Sequence, residues 1–341
     1  MKICILSGPY QPQRCGISDY IDLLISEFSK ISIECVHTII DKKNPLSKVA
    51  NNLPSADIYS IQFAPYFFSH TGLSGKAFQK LATSLRNRKL HINFHEIWVG
   101  AYPKARWQEK IWGWFQKKEI RFFIKESQPK IITCSNSAAL DRLQKESIKA
   151  QYLYLCGTVP FSPCKEADKS DHLKVAFFGT LYEKFNYDHT ATLLKNISIS
   201  LKKNILIDVI GRQREDAGFK KMQATFTSFG FTTTVTGELN RTQISQKLQK
   251  CKIGVSTTPY DIIGKSSATA TLLEHRIPII AFDDGDTPKE KLFVIKEFEE
   301  QLFLLDDDSV NDRLLKSIQK PRLAHFDGAA YTANEMLKLL S

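Results

Sequence analysis

The sequence predicts an α/β protein built from two Rossmann-like, doubly wound parallel-sheet domains that face a shared ligand cleft. Three observations carry this expectation. The chain is 341 residues long, more than one core usually serves. Apolar runs of strand length alternate with segments of helical periodicity in both halves. The alternation breaks at 157–172, where Gly157, Pro160, Pro163 and the charged segment 165–169 read as a linker, and then restarts with a new buried strand.

In the first half, Lys2-Ile3-Cys4-Ile5-Leu6-Ser7 reads as a buried strand ended by Gly8-Pro9. Further strands are expected at 33–40, 57–63, 90–95 and 130–134. Helices are expected at 17–30, 74–87, 105–125 and 136–146, the first from Ile21, Leu24, Ile25 and Phe28 at helical spacing. In the second half the run at 173–179 is a strand ended by Gly179, followed by strands at 205–210, 232–236, 253–256 and 278–282. Helices fall near 188–201, 214–229, 242–250 and 267–275. The domains are therefore placed at 1–160 and 172–325. A last helix at 326–341 carries Tyr331, Met336, Leu337 and Leu340, which could pack it back on the first domain.

Composition narrows the function classes. A hydrophobic fraction of 43% and a charged fraction of 24% fit an ordinary soluble protein. No apolar stretch approaches the ~20 residues of a membrane span, and the run after Lys2 is too short for a secretory signal. The seven cysteines are scattered without a C-x-x-C pair, so they read as reduced thiols of a cytoplasmic protein. The net charge of +11 asks for an anionic partner: nucleic acid, a membrane surface or a phosphorylated substrate. Nucleic acid drops out, because no recognition motif is present and the basic residues form no long run.

Two loops carry the functional signal. Residues 259–280 run from a short strand through Gly264, Lys265, Ser266 and Ser267 into an Ala- and Leu-rich helix. A strand, a small-residue loop and a helix start offer backbone N–H groups and a lysine to a phosphate. The segment is not a Walker loop, having one glycine before Lys-Ser. The second loop, Gln11 to Tyr20 with Cys15-Gly16-Ile17-Ser18-Asp19, follows the first strand. It lacks G-x-G-x-x-G, but it lies at a strand's C-terminal end, where open α/β sheets bind ligands.

These and three further segments resemble the GT-B-fold retaining glycosyltransferases, the group 1 or family 4-like enzymes that use nucleoside diphosphate sugars. The resemblance spans the whole chain. It rests on Gly8-Pro9-Tyr10 through Tyr20, on Asn93-Phe94-His95-Glu96-Ile97-Trp98 and on Phe178-Gly179-Thr180-Leu181-Tyr182-Glu183-Lys184. Val209-Ile210-Gly211-Arg212 and the stretch from Thr236-Gly237-Glu238-Leu239 to Pro278 complete it. It implies a donor held by the second domain and a glycan or lipid-linked acceptor held by the first, in cell-surface polysaccharide synthesis. It further implies metal-independent transfer with no cofactor beyond the sugar nucleotide. Two departures stand out. Thr180 occupies the place of the family's arginine, and the Glu-x7-Glu motif is missing, with Asp261 and Glu274 the nearest acids. A nucleotide-sugar epimerase, a phosphorylase and a catalytically silent relative that binds nucleotide or glycan therefore remain as alternatives.

His95 is the candidate catalytic residue, a strand-end imidazole beside Glu96 that can bind a sugar hydroxyl or take a proton; it is expected to be partly exposed. Gly16, Gly264, Ser266 and Ser267 are the candidate backbone and hydroxyl contacts to the diphosphate. Lys184, Arg212 and Lys265 are the candidate cations for it. Glu96, Thr180, Asp261 and Glu274 are further cleft candidates, and the sequence shows no metal-ligand cluster.

The segment 104–125 holds seven basic residues against Glu109 and Glu119. At ~100° per residue, Trp107, Ile111, Trp114, Phe115 and Phe122 share one helical face. Arg106, Lys110, Lys117 and Arg121 lie on the adjoining one. Residues 106–122 therefore read either as an interfacial helix for an anionic membrane or as a core helix with a solvated basic flank. The second reading requires Trp107, Ile111 and Trp114 to be buried.

Overall fold

The computed structural model describes residues 1–11, 15–69, 72–73, 75–164 and 170–341. Part of the first glycine loop, 12–14, and the charged part of the expected linker, 165–169, lie outside the described residues. The chain divides into two compact units: Met1–Tyr154 with Ala329–Ser341, and Leu155–Gly328. The break falls at 154/155, six residues before the boundary read from the sequence.

The first unit contains one six-stranded sheet. Its strands are β1 (Lys2–Ser7), β2 (Glu34–Ile39), β3 (Ile58–Phe63), β4 (Leu90–Phe94), β5 (Ile131–Cys134) and β6 (Gln151–Tyr152), in the order β2-β1-β3-β4-β5-β6. All pairings are parallel. The central strands β3 and β4 are buried along their whole length, as a parallel sheet covered on both faces requires. One face is apolar: Ile61, Phe63, Ile92, Phe94, Ile132 and Cys134 join a core with Leu81, Leu85 and Phe123.

The second unit repeats the plan with β7 (Leu173–Phe178), β8 (Ile205–Ile210), β9 (Thr232–Val235), β10 (Ile253–Val255), β11 (Ile279–Ala281) and β12 (Leu302–Leu304). The order is β12-β11-β10-β7-β8-β9, again parallel. The strand order reverses between β7 and β10. The crevice outside the carboxyl ends of those two strands is where such a sheet binds ligands. Its core gathers Val175, Phe177, Ile207, Val209, Phe226 and Ile253.

The sequence starts most helices of this unit with a side-chain cap. Asn186, Asp216, Asn240 and Ser266 accept the backbone N–H of His189, Phe219, Gln243 and Thr269, which satisfies a donor that the helix itself cannot. Two strands, β6 and β12, were not anticipated. They have two and three residues, too few to show periodicity, and both sit at sheet edges.

Candidate functional site

In the second unit, three neighbouring strands end in glycines with positive φ: Gly179 after β7 (φ 100), Gly211 after β8 (φ 89) and Gly237 in the turn after β9 (φ 70). An L side chain at any of them would be strained. Gly179 is also sterically necessary, since a Cβ there would lie 2.6 Å from Ala268 Cβ. That approach sets the β7 loop, with Thr180, directly against the first turn of the helix Ser267–Glu274. Two predicted segments about 85 residues apart in sequence therefore meet at the strand-order reversal.

The loop after β7 is held from three sides. Thr257 Oγ1, just past β10, donates to Thr180 O at 2.6 Å and accepts the Tyr182 N–H at 3.2 Å. Gln213 Nε2, beside Arg212, lies 3.4 Å from Gly179 O. Gly218, in the helix Ala217–Ser228, leaves room for the backbone of Leu181, whose O would lie 1.8 Å from a Cβ there. Lys184, Arg212 and Lys265 are all exposed. Cations on a braced backbone are what a polyanion site needs, because the charge is placed without reorganisation.

Several residues occupy places the sequence did not foresee. The expected loop at 260–265 is a 3₁₀ helix, Tyr260–Lys265; Gly264 lies within it without positive φ. Ser266 caps the next helix. Its Oγ accepts the Thr269 N–H at 3.2 Å and the Thr269 hydroxyl at 2.9 Å. Ser267 opens that helix. Asp261 is buried and accepts from Thr287 Oγ1 at 2.8 Å. Glu274 is buried, and its Oε1 accepts the Gly157 N–H at 2.7 Å. Asp261 thus ties its segment to the Thr287 side chain, and Glu274 holds the backbone at Gly157, both within this unit. In the first unit, Gly16 is the first residue of the helix Gly16–Lys30 and has no positive φ.

His95 follows β4, and its N–H bonds to Phe63 O at 2.9 Å. Glu96 beside it is exposed. His95 itself is only 7% exposed, which corrects the expectation of a partly open imidazole. It packs edge-on against Tyr20, with ring centroids 5.4 Å apart. Its Nε2 lies 2.8 Å from Gln62 Oε1.

Gln62 belongs to a ring of buried polar side chains that sequence reasoning missed. Ser60 and Gln62 on β3, His91 and Asn93 on β4, and Thr133 on β5 occupy alternate positions, hence one face of the sheet, opposite the apolar core. Thr133 Oγ1 donates to Asn93 Oδ1 at 2.9 Å, and Asn93 Nδ2 to Gln62 Oε1 at 3.0 Å. Gln62 Nε2 donates to Ser60 Oγ at 2.9 Å. The Ser60 hydroxyl meets His91 Nδ1 at 3.0 Å, and His91 Nε2 meets Thr133 Oγ1 at 2.8 Å.

These partners assign the protons. Thr133 and Ser60 each spend their hydrogen on the next member, so His91 is neutral, with Nε2–H donating and Nδ1 accepting. Gln62 Oε1 can only accept, so His95 also carries its proton on Nε2. Burial pushes His95 down to about 3. It does the same to His91, also to about 3, with His95 as a smaller contributor. The alternating polar residues of Leu90-His91-Ile92-Asn93-Phe94-His95 were the available signal.

In the structural comparison, HepE from Anabaena in complex with UDP and glucose matches with a TM-score of 0.55 at 12% identity, over 100% of this chain and 96% of that one. Sucrose-phosphate synthase from Thermosynechococcus elongatus gives 0.58 at 12% identity, over 100% and 94%. An α-glucosyltransferase bound to UDP and a 13-mer DNA gives 0.53 at 10% identity, over 100% and 99%. No family model and no curated protein matches the chain. The likenesses define the fold: two six-stranded parallel α/β units of the GT-B type.

Proposed function

We propose that the protein is a glycosyltransferase that uses a nucleoside diphosphate sugar. The observation that carries this reading is the meeting of the Gly179–Thr180 loop and the start of the helix Ser267–Glu274 at the β7/β10 reversal, with exposed lysines on the two segments. The donor diphosphate would lie there, its charge met by Lys265, Lys184 and Arg212 and by the helix N-terminus. Uridine is the first base to test, because the HepE and α-glucosyltransferase structures hold UDP.

In this reading an acceptor hydroxyl oxygen bonds to the anomeric carbon as the bond to the diphosphate breaks. The electron pair stays on the departing diphosphate, which also takes the acceptor proton, and the anomeric configuration is retained. His95, neutral and weakly basic, serves as a hydrogen-bonding residue on the acceptor side and does not store that proton. The acceptor is a glycan or lipid-linked glycan of cell-surface polysaccharide synthesis, met at the cytoplasmic side of a membrane.

Incubating the protein with UDP-sugars, with and without glycan or glycolipid acceptors, tests the reading. Acceptor-dependent release of UDP with a new glycoside is expected. Conversion of the sugar nucleotide to its epimer without acceptor would overturn it in favour of an epimerase. The absence of both, with UDP still bound, would mark a silent binding protein.

A further inference from the structure

The helix Trp107–Ser127 turns its aromatic strip outward, which decides between the two readings of its sequence. Its buried residues are Gly113, Gln116, Ile120, Phe123 and Ser127, one stripe at helical spacing that includes only two large apolar side chains. Gly113 is there for closeness, since a Cβ would lie 2.0 Å from Val99 O. Gln116 Oε1 accepts the Val99 N–H at 2.9 Å. The apolar strip lies on the other side. Trp107 is 67% exposed, Ile111 50%, Trp114 46%, Phe115 44% and Phe122 41%. At ~100° per residue these five centre about half a turn from the buried stripe. The core-helix reading is thereby overturned.

The strip is one patch, because Trp114 and Phe115 touch edge to face at 4.9 Å and Trp112 meets Phe115 at 6.5 Å. Its charge is specific. Lys118 lies in the middle of the strip, with Nζ 3.5 Å from the Trp114 ring centroid. Lys110 and Lys125 border it and are exposed. Lys117 and Arg121, expected from the sequence to face an anionic surface, both pair with the single carboxylate of Glu146 at 2.6 and 2.9 Å, so half of their charge is met within the unit.

A contiguous exposed aromatic cluster marks an interaction surface, and the lysine decides which kind. A protein partner would seal an aromatic centre depleted of charge. A second copy would set like charges against each other across a two-fold axis. A bilayer accommodates both features: Trp and Phe settle at the headgroup level, while a lysine stem lies along apolar surface and its ammonium reaches acidic headgroups.

We propose that the outward face of this helix docks on an anionic bilayer, with Trp107, Ile111, Trp114, Phe115 and Phe122 in the interface and Lys118 over acidic headgroups. This rests on the peripheral location in the reading above and gives it a surface. Its test uses no sugar nucleotide, so either can fail without the other.

The full chain is sedimented with vesicles of phosphatidylcholine alone and of phosphatidylcholine with phosphatidylglycerol, at low and high salt. Binding is expected only with phosphatidylglycerol and is expected to fade as salt rises. The variant Lys110→Gln/Lys118→Gln/Lys125→Gln should bind about 100-fold more weakly, having lost three surface charges. The variant Trp107→Ala/Trp114→Ala/Phe115→Ala should lose binding and the blue shift of tryptophan emission, while its circular dichroism stays native because these side chains are exposed. Failure of the native chain to bind anionic vesicles would overturn the proposal. So would full binding by the aromatic variant, or a solution dimer that this variant abolishes, which would assign the face to a second copy.

Discussion

The two units carry their strand-end chemistry in opposite ways. In the first, His95 hangs from Gln62 on a closed ring of hydrogen bonds in which each of Thr133, Asn93, Gln62, Ser60 and His91 donates to the next. Nothing in that ring can change its protonation without leaving a neighbour unmatched. In the second unit the cations Lys184, Arg212 and Lys265 stand exposed, and what is braced is the backbone of the Gly179–Leu181 loop that precedes Lys184, by Thr257, Gln213 and Gly218. The contrast separates two uses of polar residues. A buried network orients one imidazole through its partners and adds to stability. An exposed cation on a fixed loop keeps its charge for a ligand and adds little to folding.

The largest effect expected from this contrast comes from breaking the ring. His91→Leu leaves the Ser60 hydroxyl and Thr133 Oγ1 without their partner in a buried layer, which should cost about 3–5 kcal/mol in urea unfolding. His95→Ala, on the branch off Gln62, should cost about 2–3 kcal/mol. Lys265→Ala and Lys184→Ala should stay within about 0.5 kcal/mol of the native chain. Comparable losses in both sets would dissolve the distinction.

Acid should act next. His91 and His95 are held down to about 3 in the folded protein, against about 6.5 when unfolded. Below pH 6.5 the unfolded chain therefore binds more protons than the folded one. The stability from these two histidines is complete above that pH and is lost as pH falls toward 3, at about 1.4 kcal/mol per unit for each. Unfolding midpoints between pH 7 and 4 read this slope directly. His95→Gln should remove about one histidine's share, and an unchanged slope would show that His95 titrates normally.

The smallest effect lies in the second unit and concerns binding alone. Lys265→Ala should weaken UDP by about 1.5–3 kcal/mol, the range for a charge-assisted hydrogen bond, and leave uridine almost unaffected. Calorimetric titration of both ligands checks this. Equal losses for UDP and uridine would mean that Lys265 does not read the phosphates.

Much of this was legible in the chain. All five of β1, β3, β4, β7 and β8 are buried nearly throughout; β1, β7 and β8 are near-continuous apolar runs, which between helical segments already imply a parallel sheet covered on both faces, whereas β3 and β4 alternate apolar with polar residues. Strand-end positions for Gly179, Gly211, His95 and the Lys265 segment followed from the same pattern. The edge strands β6 and β12 did not, because two or three residues carry no period. Nor did the fates of Ser266, Asp261 and Glu274. A hydroxyl or carboxylate near a strand end looks alike whether it meets a ligand, caps a helix or holds a neighbouring backbone N–H, and only the fold supplies the neighbour.

Periodicity by itself determined that residues 90–95 alternate and that 107–122 carry an apolar stripe, because the spacing of side chains along a strand or helix is a property of the backbone. Tertiary structure decided what lies opposite each face. It covered the polar side of β4, so that His91 and Asn93 became 1% and 3% exposed members of a ring. It turned the other face of the helix Trp107–Ser127 inward and left Trp107 and Ile111 in solvent. A local pattern states that two faces differ. Which of them is buried depends on which residues from distant parts of the chain can approach it closely, as Val99 does at Gly113.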